Sequence, residues 1–298
     1  MSYTQSIAVA PSWRDFMDLC KPRVVLLMLL TAAVGMLLAV EGLPPLDIFV
    51  FAMLGIALVA GSAAVVNHVA DAHVDRRMTR TRTRPIAQGR VPSWQALAFS
   101  ALLGVTGMAV LAFLVNPLTA SLNLVSWVGY GLIYTLYLKH QTSQNIVLGG
   151  LFGAAPPLFG WTAITGAISL EPLLLVFIIF IWTPPHFWAL ALHRMDDYAK
   201  AGVPMLPITH GPAYTRWNIL AYTVVLSLVS VLPYVTGMSG LPYLFAVLAL
   251  DAGFLYWAIA LVRDREDAPI RTFRYSILYL GLLFLALLAD HFTSTGIA

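Results

Sequence analysis

Charge is scarce in this chain. Asp, Glu, Lys and Arg supply 10% of its 298 residues, against about 25% in ordinary soluble domains, which excludes a conventional water-facing surface. Cysteine is scarcer still: Cys20 stands alone, so an internal disulfide, a CxxC pair and a thiolate metal centre are ruled out. No low-complexity linker or polar domain interrupts the sequence, so a single domain over 1–298 is expected, with 1–20 as an N-terminal arm. Nothing at the start resembles a cleaved signal, because residues 1–19 mix polar and aromatic side chains. The net charge of +3 and the pI near 9.0 call for no nucleic-acid partner, since the distribution of the basic residues accounts for both.

What the chain has in abundance is apolar sequence, with 59% hydrophobic residues and a mean hydropathy of +0.81. That composition predicts an all-α, polytopic membrane protein. Windows close to the ~20 residues needed to cross a bilayer fall at 24–40, 47–69, 94–115, 118–138, 145–164, 173–192, 217–235, 241–262 and 275–289. Nine transmembrane helices are therefore expected, around a central cavity open to the cytoplasmic side. With the N-terminus in the cytoplasm, all 17 Lys and Arg fall on the cytoplasmic side, while the opposite loops carry Glu41, Glu171 and no Lys or Arg. This asymmetry obeys the positive-inside rule and places the C-terminus outside.

The informative stretch is 67–90, where a long apolar run ends in two aspartates and then six arginines. Asn67, Asp71 and Asp75 recur at i, i+4 and i+8, so at roughly 100° per residue they share a stripe about 80° wide on one helix. Hard oxygen donors so arranged suit Mg²⁺, which is commonly held by a few carboxylates and completed by substrate phosphates. The arginines suit the phosphates themselves, because a guanidinium forks onto two oxygens. A helix end merely laced with salt bridges is the plainer reading. Alignment of the acids on one stripe, within an apolar helix, separates the two.

Elsewhere, Pro22 sits near the first turn of a helix, Ser93 is a candidate N-cap with Trp94 as an interfacial anchor, and Asn116-Pro117 marks a tight hairpin. Lys139, at the end of the fourth window, suits either a topogenic charge or a phosphate ligand. Gly149, Gly150 and Gly153 allow close helix packing, and Pro156-Pro157 should bend or break their helix. Pro184-Pro185 precedes His186, His193 and Asp197. On a helix, His193 and Asp197 each lie about 20° from His186, so the three share a narrow face. Asp197 is thereby the candidate for a second metal or diphosphate ligand. Asp251 and Asp290 are isolated and expected to be structural or interfacial.

The pattern Asn67-x3-Asp71-x3-Asp75, followed by Arg76-x-Met78-x-Arg80-Thr81 and Arg84-Pro85, resembles the first aspartate-rich motif of the intramembrane UbiA-type prenyltransferase superfamily. Three further stretches are similar to its haem-modifying branch, the haem O synthases: Tyr137-Leu138-Lys139 through Asn145; Gly149 through Trp161; and Pro184-Pro185-His186-Phe187-Trp188-Ala189-Leu190 leading to Asp196-Asp197-Tyr198 and Ala201-Gly202-Val203-Pro204-Met205-Leu206-Pro207. The resemblance covers nearly the whole chain. It departs from the superfamily at the second motif, where His193 stands four residues before Asp197 in place of an aspartate.

The resemblance implies transfer of a farnesyl group from farnesyl diphosphate to a vinyl group of haem b, giving haem O and diphosphate. Mg²⁺ would be held by Asn67, Asp71 and Asp75, with Asp197 near a second ion. Arg80, Arg84 and Lys139 would bind the diphosphate, and His186 and His193 would face the haem, whose iron commonly takes imidazole as an axial ligand. Membrane lipid surrounds such an enzyme, and a haem A synthase or terminal oxidase assembly is the expected downstream partner. A bacterial plasma membrane is the expected location. Two alternatives are a prenyltransferase acting on a quinone precursor or other lipid acceptor, and a transporter whose acids mark an ion path.

Overall fold

The computed structural model describes residues 11–79 and 81–294, and among these it is helical throughout, with no strand. The principal helices are α1 (Trp13–Leu19), α2 (Pro22–Leu38), α3 (Leu46–Asp75), α4 (Ser93–Val110), α5 (Pro117–Trp127), α6 (Asn145–Gly153), α7 (Pro156–Thr165), α8 (Leu170–His193), α9 (Met195–Ala201), α10 (Leu206–Thr209), α11 (Pro212–Val229), α12 (Leu241–Val262) and α13 (Ala268–Ser294). Wider π-helical turns extend α4 over Leu111–Val115 and α5 over Val128–Leu138.

Among the described residues, seven helices are long and apolar enough to cross a membrane, or eight if α1 and α2, bent 53° at their junction, count as one. The other two expected spans fall short for identifiable reasons. α2 alone has 17 residues. The 118–138 window becomes an 11-residue α-helix followed by 11 residues of π-helix. Large apolar side chains such as Phe113, Val105 and Leu26 face outward, as suits a surface solvated by lipid rather than water. The chain is an integral membrane protein.

Local chemistry sets the boundaries. The Asn116 side chain accepts from Thr119 N–H at 2.8 Å, and Pro117 occupies the next position, so the predicted hairpin leads into a capped helix. Ser93 does not cap. It is the first helical residue of α4, Pro92 takes the cap position, and no side-chain bond forms there. Pro156-Pro157 breaks the chain into α6 and α7, as predicted, whereas Pro184-Pro185 is accommodated within the continuous α8. Asp290 accepts backbone N–H from Gly240 at 2.6 Å, and Asp251 accepts from Ser230 and Tyr279 hydroxyls at 3.0 and 2.8 Å. Both are structural, as expected.

The helices pack in neighbouring pairs. α3 packs on α4, and α2 on α7; α8 packs on α11 and α13, and α12 on α13. The largest buried cluster runs through Ile178, Leu226, Tyr243, Phe254, Tyr279 and Leu283. Where α2 crosses α7 the backbones nearly touch: a Cβ at Gly160 would run into the Ala32 carbonyl, and one at Gly35 into that of Pro157. Such contact needs glycine and holds α2, with the loop preceding it, against the bundle.

Gly160→Val should therefore lower stability by about 1–3 kcal/mol, the usual scale of overpacking. Thermal unfolding in detergent checks this, with Gly153→Ala as the unaffected control, because a Cβ at Gly153 meets nothing within 4 Å.

Candidate active site

The last turns of α3 carry the predicted stripe, and the structure buries it. Asn67, Asp71 and Asp75 are each 3% exposed. They do not face lipid, because each is met by a cation from a different part of the chain. Lys21, between α1 and α2, donates to Asn67 Oδ1. Lys139 Nζ lies 2.5 Å from Asp71 Oδ2. Arg84 Nη1 reaches both oxygens of Asp75, at 2.9 and 2.8 Å. Charges withdrawn from water persist only when paired in this way.

The local folding that delivers each cation is specific. Lys21 adopts a left-handed backbone, φ 51° and ψ 58°, a conformation that costs a non-glycine residue of order 1 kcal/mol or more. This turn directs its side chain across to α3. Lys139 follows the π-helical turns, within which the Thr135 hydroxyl donates to Tyr130 O at 2.7 Å, five residues back. π-Turns recur at functional sites because they re-aim side chains, and here they bring Thr135 within 3.4 Å of Asn67 Nδ2 as well. Asn145 steadies this corner by donating to Lys139 O at 3.2 Å. Arg84 belongs to a folded loop, in which the Thr81 hydroxyl donates to Asp75 O at 3.1 Å and Arg76 Nε to Ala87 O at 3.1 Å.

Several buried polar atoms are left over. Among the described residues, Asp71 Oδ1, Asn145 Oδ1 and both ring nitrogens of His68 have no partner. An orphaned carboxylate oxygen costs free energy unless a ligand satisfies it, so the stripe fits a hard divalent cation completed by ligand oxygens. Among the described residues, no three His, Cys, Asp or Glu side chains are gathered so as to hold a metal by themselves. Asn67, the two aspartates and oxygens brought by a substrate would have to supply the coordination together.

The remaining expected residues are dispersed. Arg80 lies outside the described residues. His186 is buried in α8, its Nδ1 2.7 Å from Ser276 Oγ, with its ring stacked between Trp182 and Phe273. His193 is exposed at the end of α8, so the narrow face shared with His186 on paper is not one environment. Asp197 falls on the next helix, α9, with its Oδ2 3.6 Å from Arg194 Nη1. The turn at Arg194 breaks the helical phase on which the alignment of His186, His193 and Asp197 rested. Sequence reasoning missed Lys21 and His68 as members of the site. A lysine before Pro22, at the mouth of a helix, reads as a topogenic charge, and nothing local signals a partner 46 residues away.

The site thus gathers buried oxygen ligands and basic groups from separate segments of one helical bundle. The UbiA prenyltransferase family model matches residues 28–288, and the chain belongs to that family. It is 59% identical over 293 residues to the protoheme IX farnesyltransferase of Hahella chejuensis, covering 98% of both chains. It is 59% identical over 287 residues to protoheme IX farnesyltransferase 1 of Pseudomonas aeruginosa PAO1, covering 95% of this chain and 94% of that one. Its fold matches a digeranylgeranylglyceryl phosphate synthase structure with a TM-score of 0.80 at 18% identity, over 94% of this chain and 98% of that one. A UbiA homolog from Archaeoglobus fulgidus, solved with GPP and Mg²⁺, matches with a TM-score of 0.64 at 15% identity, over 92% and 99%.

Asp71→Asn and Asp75→Asn should leave the protein inserted and helical while lowering prenyl transfer by about 10²-fold or more, the scale of losing one preorganised charge-stabilising group. A Mg²⁺ titration of activity checks this; wild-type rates across it would contradict the metal role of the stripe.

Proposed function

We propose that this chain transfers the farnesyl group of farnesyl diphosphate to a vinyl group of haem b, producing haem O and diphosphate. The observation that carries the chemistry is the buried stripe of Asn67, Asp71 and Asp75 facing Lys21, Lys139 and Arg84. The acceptor rests on the full-length relatives named protoheme IX farnesyltransferase.

Asn67, Asp71 and Asp75 would hold Mg²⁺, which when bound offsets the charge that grows on a departing diphosphate. Lys139 and Arg84 then serve the same phosphate oxygens, donating where negative charge develops. Arg80 belongs with them by its place in the motif. The C1–O bond of the prenyl diphosphate breaks, C1 joins the terminal vinyl carbon of the haem, and water adds at the adjacent carbon with loss of a proton. The apolar bundle around the stripe keeps water from the allylic centre until the vinyl group meets it. His186 and His193 are the candidate haem-side residues, and Asp197 the candidate carboxylate for a second ion.

In the same reading the chain crosses the membrane nine times, with α2 and the α5 segment included. Its N-terminus and the mouth of the cavity lie on the cytoplasmic side of a bacterial plasma membrane, and its C-terminus lies outside. The placement of all 17 Lys and Arg supports this orientation. Haem O would pass to a haem A synthase or a terminal oxidase.

Mass spectrometry of haem extracted after incubating the purified chain with haem b, farnesyl diphosphate and Mg²⁺ tests the reaction. The expected product is the hydroxyethylfarnesyl haem, with diphosphate released. Prenylation of an aromatic acid but not of haem would replace this reading with the quinone-type enzyme, and solute flux without diphosphate release would replace it with a transporter.

A further inference from the structure

The imidazole of His186 is held by aromatic rings and by one serine. Trp182, a turn earlier on α8, and Phe273 of α13 lie nearly parallel to it, with centroids 4.2 and 4.7 Å away, and Phe187 meets it edge-on at 4.8 Å. Trp182 Nε1 donates to Ser276 O at 2.8 Å, while His186 Nδ1 lies 2.7 Å from Ser276 Oγ. A single residue of α13 therefore engages both the indole and the imidazole of α8, which pins the plane of the His186 ring.

The protons of this contact follow from its geometry. A serine hydroxyl has one hydrogen to give. Ser276 Oγ lies 2.7 Å from the carbonyl oxygen of Phe273, and two oxygens that close repel unless a proton lies between them, so the hydroxyl donates there. Only its lone pairs remain for His186, and Nδ1 must be the donor. In the neutral ring the lone pair then belongs to Nε2. Among the described residues no group bonds to Nε2, and it is not sealed in as the nitrogens of His68 are, because His186 keeps 8% of its surface open. A histidine serving only to join α8 to α13 gains nothing from a fixed tautomer with its lone pair left open.

An imidazole whose N–H is held by an oxygen and whose other nitrogen is free is the usual arrangement of a metal-binding histidine. Aromatic walls beside it suit a flat apolar ring, and the two features together suit an iron porphyrin. We propose that His186 Nε2 ligates the iron of the haem substrate, and that Ser276 is the positioning residue that sets its tautomer, accepting the Nδ1 proton and giving its own to Phe273 O. The inference rests on haem b as the acceptor and adds the contact by which this chain recognises it. It also separates His186 from His193, which is exposed at the end of α8.

Haem b titrated into the detergent-solubilised full chain tests this, read by absorption and by the iron–histidine stretch in resonance Raman spectra of the ferrous form. The wild type should bind haem with a histidine signature. His186→Ala should lose that signature and bind haem about tenfold or more weakly, and added imidazole should restore the signature. Ser276→Ala should keep the signature but weaken haem binding by about tenfold, the scale of losing the partner that orients a metal-bound histidine. Its stretch should also move to lower frequency, because an unheld Nδ1–H leaves Nε2 a poorer donor. Ser276→Thr, which keeps the hydroxyl, should restore both. A merely structural serine would lower the unfolding temperature and leave the frequency where it was. A signature that survives His186→Ala, one lost only in His193→Ala, or a stretch unmoved by Ser276→Ala would overturn the proposal. Mass spectrometry of haem O in the same preparations keeps the two readings apart: haem bound through His186 without product refutes the reaction alone, product from a wild type lacking the histidine signature refutes the ligation alone, and no haem binding refutes both.

Discussion

The pairing of buried charge at the end of α3 is the constraint on which the rest of the structure depends. Two aspartates and an asparagine cannot lie in a dry bundle without partners, and each partner comes from a separate segment: the junction of α1 and α2, the loop after α3, and the π-helical end of the α5 segment. The features that look irregular in isolation each aim one cation. The left-handed Lys21, the wide turns over Val128–Leu138 and the hydrogen-bonded loop around Thr81 and Arg84 all converge on the same 9 residues of α3, Asn67 to Asp75.

The same arrangement is suited to chemistry because it is incomplete. A fully satisfied network would leave nothing for a ligand to engage, whereas among the described residues this one retains an Asp71 oxygen and a His68 ring without partners. Asn145, which orients Lys139 through its backbone carbonyl, keeps an unpaired oxygen of its own. Outside the site, α7 presses on α2 through glycine, and the satisfied aspartates 251 and 290 tie the C-terminal helices together. The scaffold is closed where it supports and open where it binds.

Much of this was legible in the sequence. Hydropathy defined an all-helical membrane protein, and the spacing of four between Asn67, Asp71 and Asp75 put them on one wall because a single uninterrupted helix carries all three. The same reasoning did not reach Asp197, since a turn at Arg194 ends α8 and periodicity does not carry across a break, while His186 and His193 share α8 with one buried and the other exposed at its end. Two expected spans do not stand out as single long helices, for related reasons: α2 is short and bent from α1, and the end of the α5 segment widens into π-turns that leave no mark in composition. Lys21 was out of reach because its role depends on a tertiary contact. Lys139 was ambiguous for the same reason until its carboxylate partner was located.

The central claim is that Asn67, Asp71 and Asp75 share one wall of a pocket and grip a divalent cation against a diphosphate. Crystals of the full chain grown with Mn²⁺ and a non-reactive farnesyl diphosphate analogue test it most directly, through the anomalous signal of the metal. The account predicts a peak in contact with the Asp71 and Asp75 carboxylates and with diphosphate oxygens, with Lys139 and Arg84 on the phosphates. A stripe pointing into lipid, or a metal bound away from it, would contradict the account.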